Sequence, residues 1–212
     1  MQVYEKMNEP REHKTVSDNN LMGASILPLM TDPIQGKLYF LLAKERFHAS
    51  WPQGSNLWTD FGGKRDNQES AEQIAAREFL EESLGLVQYK ETDELPMTEP
   101  NAIVEALKKD DYLFKVTSTF NETCFVTFVV YVPWDPLIPQ RFSKALQDPE
   151  AKTWEQCYLE KSHLGLFSLP QAIQALRSKG YLMPHERCSI SLLNTLTIVL
   201  PELQFYYPNL FL

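Results

Sequence analysis

Apolar and polar residues fall into short blocks along this chain, and the blocks alternate between two periods. Ala24 to Met30 is a continuous apolar run followed by Thr31-Asp32-Pro33 and Gln35-Gly36, which reads as a buried strand and a turn. Lys37 to Ala43 is a second such run, so the two are expected to form a hairpin. A loop from Glu45 to Leu57, with Pro52 and Gly54, leads to a brief strand at Trp58 to Phe61, which Gly62-Gly63 is expected to break. Ser70 to Leu84 then carries apolar residues at helical spacing. Gly85 stops it.

Further along, Pro100 to Lys109 reads as a short helix. Tyr112 to Thr119 and Thr123 to Val132 are β-rich runs joined at Asn121-Glu122, a second hairpin. Residues 133–153 hold Pro133, Pro136, Pro139 and Pro149, which implies irregular chain around one short helix. Trp154 to Leu159 is expected as a strand. Leu169 to Lys179 and Cys188 to Leu200 are expected as helices, the second ending at Pro201. Strands and helices interleave without regular βαβ spacing, so the class is α+β, a mixed β-sheet flanked by helices. The organisation predicted is an N-terminal arm over 1–20, one domain over 21–205 with insertions near 87–111 and 133–153, and an aromatic tail over 206–212.

Composition narrows the partners. With 212 residues, 43% hydrophobic and 12% aromatic, the chain can fill one substantial core. A net charge of −8 disfavours long nucleic acid, which is bound by clustered Lys and Arg. A nucleotide or an RNA 5′ end, where few phosphates are met, stays compatible. Cys124, Cys157 and Cys188 are scattered among apolar neighbours and read as small core residues, a poor disulfide framework and a poor zinc site. The first twenty residues lack a secretory apolar region, and the apolar stretch at Phe125 to Val132 is too short for a bilayer. The expectation is an intracellular, cytoplasmic protein without a membrane partner.

The chemistry is concentrated in Gly63 to Leu86, GKRDNQESAEQIAAREFLEESLGL. On a helix at about 100° per residue, Glu78, Glu81 and Glu82 fall within an arc of about 100°, with Arg77 at its edge. Ala76, Phe79, Leu80 and Leu84 occupy the opposite side. Three like charges at helical spacing cost roughly 0.2–0.5 kcal/mol per pair, and a hard dication reverses that sign. With no His or Cys in the cluster, Mg²⁺ or Mn²⁺ suits it better than zinc. Such an ion can polarise a phosphoryl oxygen and acidify an attacking water, while a free carboxylate takes the proton. An acidic solvated face is the ordinary reading of Glu-Glu alone. Six fixed positions, at roughly 7% usage each, coincide by chance about once in ten million starts, and the ordinary reading does not account for that.

Gly63, Glu69, Arg77, Glu78, Phe79, Glu81 and Glu82 stand at the spacing of the Nudix box, G-x5-E-x7-R-E-U-x-E-E-x-G-U, and the segment resembles it. Two departures are visible. Ser83 and Leu84 separate Glu82 from Gly85 where the pattern has one residue, and Asp60 stands where many members have Pro. The resemblance implies a Nudix-like α/β/α sandwich and a hydrolase acting on phosphorus-containing anhydrides. It implies metal binding by Glu78, Glu81 and Glu82, Glu82 foremost, with a carbonyl at Gly62 or Gly63 completing the shell. It further implies a structural ion pair between Glu69 and Arg77, a sharp backbone turn at Gly62-Gly63, and a further acid from a later segment, for which Glu155 and Glu160 are the candidates. Lys44, Arg46 and Lys64 flank the box as candidate phosphate contacts. Phe47, Trp51, Trp58 and Trp154 are placed by their character in packing rather than against a base.

The activity expected is Mg²⁺- or Mn²⁺-dependent cleavage of a diphosphate linkage in a nucleoside diphosphate derivative. Two other readings stand beside it. One is pyrophosphohydrolysis at an RNA cap or 5′ end. The other is a Nudix-fold protein that binds or scaffolds without turnover.

Overall fold

A computed structural model describes residues 20–89 and 99–211. The expected N-terminal arm lies outside the described residues except for Asn20, as does the middle of the 87–111 insertion. The central strand, β1 (Leu21–Thr31), is buried on both faces over most of its length, which is why it reads as unbroken apolar sequence rather than as alternation. It runs parallel to β6 (Thr123–Tyr131), which pairs antiparallel with β5 (Phe114–Phe120). Asn121 and Glu122 both adopt positive φ, 46° and 67°, and close the β5–β6 hairpin where the sequence placed it.

The other edge of β1 is shared between two strands. Gly23 to Ile26 pair with β4 (Phe61–Lys64), and Leu29 to Thr31 pair with β2 (Leu38–Glu45). Between these partners lies Pro28, whose missing N–H falls where the ladder is interrupted. Beyond the fork, β2 pairs with β3 (Trp58–Thr59) on one side and from Tyr39 to Glu45 with β7 (Lys161–Ser168) on the other. Asp60 sits at the switch from β3 to β4. Its buried carboxylate accepts from Ser25 Oγ at 2.7 Å and from Thr59 Oγ1 at 3.1 Å, and Ser25 in turn meets Thr127 at 2.8 Å. Burial raises the Asp60 pKa against those hydrogen bonds.

Helices cover both faces of this seven-stranded mixed sheet, so the α+β sandwich expected from the sequence is the architecture found. α1 (Ala71–Ser83), α2 (Pro100–Lys108) and α3 (Ile138–Gln147) pack on one face, around Ile26, Phe61, Phe79, Phe128 and Phe142. α4 (Leu169–Arg177) and α5 (Ile190–Tyr206) pack on the other, over Leu27, Phe40, Val129 and Phe167. A small hairpin, β8 (Tyr181–Met183) with β9 (Glu186–Arg187), connects α4 to α5.

Three elements differ from expectation. Trp154 to Leu159 forms no strand: Gln156–Leu159 is a 3-10 turn, and the strand begins at Lys161, whose apolar residues lie across β2. Gly62-Gly63 does not break the chain but continues β4, because a side chain at either position would collide with Ser25 or Glu78. α5 does not stop at Pro201 but runs to Tyr206, since Leu196, Val199, Leu200 and Leu203 are buried around the proline and hold the helix together. Among the described residues, no helix is long and apolar enough to cross a membrane.

Candidate functional site

The geometry begins with the way α1 is fixed at its ends. Ser70 Oγ accepts from the Gln73 amide at 3.3 Å, and Gln73 Oε1 accepts from the Ser70 amide at 2.8 Å, a complete capping box with Gln in place of Glu. At the other end Leu84 and Gly85 are both left-handed, with φ of 55° and 63°. The extra residue before Gly85 is thus absorbed after the acidic turn and leaves the spacing of the carboxylates untouched. Phe79 meets Phe61 edge to face with ring centroids 5.4 Å apart, pressing α1 onto β4.

Arg77 is the hub of the outer half of the site. Its Nε and Nη2 donate to the two Glu69 oxygens at 2.9 and 3.0 Å, a two-pronged contact. Nη1 donates to Glu78 Oε1 at 2.8 Å and lies 3.5 Å from Glu81 Oε2, while Nη2 also reaches the Lys64 carbonyl at 3.2 Å. One guanidinium therefore ties the loop after β4 to α1 and turns Glu78 toward Gly63. Arg77 holds the Glu69 carboxyl below its ordinary range. Burial raises Glu78 and Glu81 above theirs, against Arg77. Gly63 is where Glu78 finds room, since a Cβ there would overlap the Glu78 carboxylate.

The inner half contains a residue, Lys161, that no local sequence pattern marks. Lys161, at the start of β7, lies opposite Glu45 across a β-bulge and extends beneath α1. Its Nζ lies 2.8 Å from Glu82 Oε1, both side chains being 2% exposed, and it also donates to Glu45. Glu82 Oε2 accepts from the Gly62 amide at 2.9 Å. Burial works to lower the Lys161 pKa, yet the Glu82 and Glu45 carboxylates outweigh it and hold the ammonium above its ordinary value. The signal was faint, because a lysine beginning a strand is ordinarily a solvated residue; only the bulge and the helix above it bury this one.

The expected site residues separate accordingly. Glu78 and Glu81 face the same region, and among the described residues no donor reaches Glu78 Oε2 or Glu81 Oε1. Glu82, expected as the leading ligand, has both oxygens engaged. Glu160 is close enough for its charge to raise both Glu78 and Glu81, and burial raises Glu160 itself. Glu155 lines a cavity of about 620 Å³ beside α1, together with Arg77, Glu81, Leu84, Trp154 and Tyr158. Lys44 meets the Glu186 carboxylate at 2.8 and 3.0 Å. Arg46 is exposed and reaches the Lys161 carbonyl at 3.4 Å, and Lys64 is exposed. Trp58 packs on Phe167, whereas Phe47 and Trp51 are exposed and Trp154 lines the cavity. Cys124 and Cys188 are core residues, but Cys157 is only half-buried.

Among the described residues, no three His, Cys, Asp or Glu side chains converge into a ready-made metal cage. The donors present do suit a hard dication that keeps its waters, because Mg²⁺ is usually held by one or two carboxylates plus substrate phosphates. Glu78 and Glu81 are two such donors, on adjacent turns of one helix.

No protein-family description and no curated protein matches this sequence. Among solved structures the chain is similar to a mutT/nudix family protein from Listeria innocua, at 18% identity over 89% of this chain and 96% of that one, with a TM-score of 0.46. It is similar to the NUDIX domain of Shewanella oneidensis NrtR complexed with ADP ribose, at 15% identity over 87% and 88%, TM-score 0.43. It is also similar to a C. elegans Ap4A hydrolase binary complex, at 16% identity over 54% and 66%, TM-score 0.30.

Proposed function

We propose that this protein is a divalent-metal-dependent pyrophosphohydrolase that cleaves a diphosphate linkage in a nucleoside diphosphate derivative. The observation that carries the reading is the pair Glu78 and Glu81, on one face of α1, each with one carboxylate oxygen that no donor reaches among the described residues, and with Glu81 and Arg77 on the wall of the cavity. The resemblance of Gly63 to Leu86 to a Nudix box supports the same assignment. Glu78 and Glu81 would hold Mg²⁺ or Mn²⁺, which when bound supplies charge neutralisation on the phosphates and a more acidic water.

The chain's own residues do the rest. Arg77 orients Glu78 and, through Glu69, fixes the loop that leads into α1. Gly63 keeps the Glu78 carboxylate against β4. In hydrolysis, a water oxygen bonds to one phosphorus while the bridging P–O bond breaks and the leaving phosphate departs with the electron pair. The water's proton passes to a nearby carboxylate, and Glu160 suits that role because it is near enough for its charge to act on both Glu78 and Glu81.

The test is hydrolysis of dinucleotides, nucleotide sugars, nucleoside triphosphates and capped RNA with Mg²⁺ or Mn²⁺, comparing the wild type with Glu81→Gln. Turnover is expected to fall by about 10²-fold or more with the melting temperature unchanged. Retention of near wild-type turnover would sink the mechanism. A second reading, ligand binding without turnover, is favoured by the basic groups already neutralising the cluster, Arg77 and Lys161. Calorimetry showing nucleotide binding but no hydrolysis under excess Mg²⁺ would select it.

A further inference from the structure

Glu82 and Lys161 form the most deeply buried charge pair at this site, and nothing in the proposed hydrolysis uses it. Its surroundings are specific. Glu82 comes from α1, Lys161 from β7, Glu45 from β2 and the Gly62 amide from β4, so four separate elements meet at one ammonium and one carboxylate. Both oxygens of Glu82 already have donors at ordinary hydrogen-bond distance, 2.8 and 2.9 Å. A divalent ion on Glu82 would stand within a few ångströms of that ammonium, in surroundings with little water to screen the repulsion.

We propose that Lys161 is the resident cation of the inner carboxylates, so that Glu82 locks α1 onto the sheet and takes no part in holding the divalent ion. The ion is left to Glu78 and Glu81, a division that rests on the function proposed above. Glu82 is then a positioning residue: it fixes the last turn of α1 over β4, and the helix carries Glu81 to the cavity wall with Glu78 one turn before it. The lysine does by covalent attachment what a second metal ion would do by binding.

The division predicts an asymmetry readable without turnover. Mn²⁺ binding to the full chain is followed by electron paramagnetic resonance, and thermal melting is recorded with and without Mn²⁺. In K161M, Glu82 and Glu45 lose their cation and become a new anionic site. The variant is expected to melt lower than wild type without metal, to regain much of that loss in millimolar Mn²⁺, and to bind at least one more Mn²⁺ than wild type. The double variant E82Q/K161M, which removes the charge of both partners, is expected to keep wild-type Mn²⁺ affinity within about threefold. E81Q weakens it by tenfold or more. Loss of Mn²⁺ binding in folded E82Q/K161M would make Glu82 a ligand and overturn the proposal. So would a K161M protein whose Mn²⁺ stoichiometry and metal-dependent melting match wild type. If K161M does not fold with or without Mn²⁺, the double variant decides alone. A wild-type chain that neither binds Mn²⁺ nor hydrolyses any diphosphate fails the function proposed above, and the gain or absence of Mn²⁺ binding in K161M still decides the role of Lys161.

Discussion

At the residue scale, the two glycines of β4 serve space rather than flexibility, and they serve different neighbours. A Cβ at Gly62 would meet Ser25 Cβ and the Ala24 carbonyl, which are backbone or backbone-fixed atoms of the central strand. The three atoms nearest to a Cβ at Gly63 belong to the end of the Glu78 side chain, which can move. Gly62→Ala should therefore cost about 1–3 kcal/mol in denaturant unfolding, as overpacked sites do, whereas Gly63→Ala should cost less and instead displace Glu78 and depress hydrolysis. Equal losses of stability with hydrolysis intact in both variants would contradict the packing argument. Glu69 carries a pH dependence of definite sign. Arg77 holds its carboxyl below the ordinary value, so its contribution is present in full above about pH 4.5 and is lost as pH falls through the lowered folded value. Wild type should exceed Glu69→Gln by about 1 kcal/mol near neutrality, and the difference should close in acid; a gap that persists to low pH would rule the ion pair out as its source.

At the scale of elements, α1 was the most legible piece. Its cap, its apolar face and its acidic face are all local, and the structure realises Ser70, Phe79 and the left-handed stop near Gly85 where the sequence set them. α5 shows the opposite case. Pro201 removes one helical hydrogen bond and crowds the preceding turn, which locally argues for an end. Burial of Leu196, Val199, Leu200 and Leu203 outweighs that cost, and no local pattern can weigh the two. Pro201→Ala should accordingly raise stability by about 1 kcal/mol or more, measured by chemical denaturation, because it restores the missing donor in a helix already held by packing. A variant of lower stability would show that the proline fills space the core needs. Likewise local pattern puts a strand at Trp154–Leu159, whereas β7 lies at Lys161–Ser168, because its partner is β2, far away in the chain, and its edges are set by that pairing.

At the scale of the whole molecule, the fork in the sheet is what assembles the site. β1 lends one end to β4 and the other to β2, so β4 and the last turn of α1 come to lie beside the end of β2 and the beginning of β7. That convergence brings Lys161 and Glu45 under Glu82, and Glu160 within electrostatic reach of Glu78 and Glu81. It also pairs Lys44 with Glu186 on the β8–β9 hairpin. What the sequence determined by itself was whatever depends on neighbours three or four residues away: helix faces, caps, turns, and the spacing of the acids along α1. Only the tertiary structure decided which of those acids keep an oxygen without a donor among the described residues and which are closed by a buried ammonium. The reason is physical: an ion pair depends on distance through space and on burial, and Lys161 stands 79 residues from Glu82 in the chain but 2.8 Å from it in the fold.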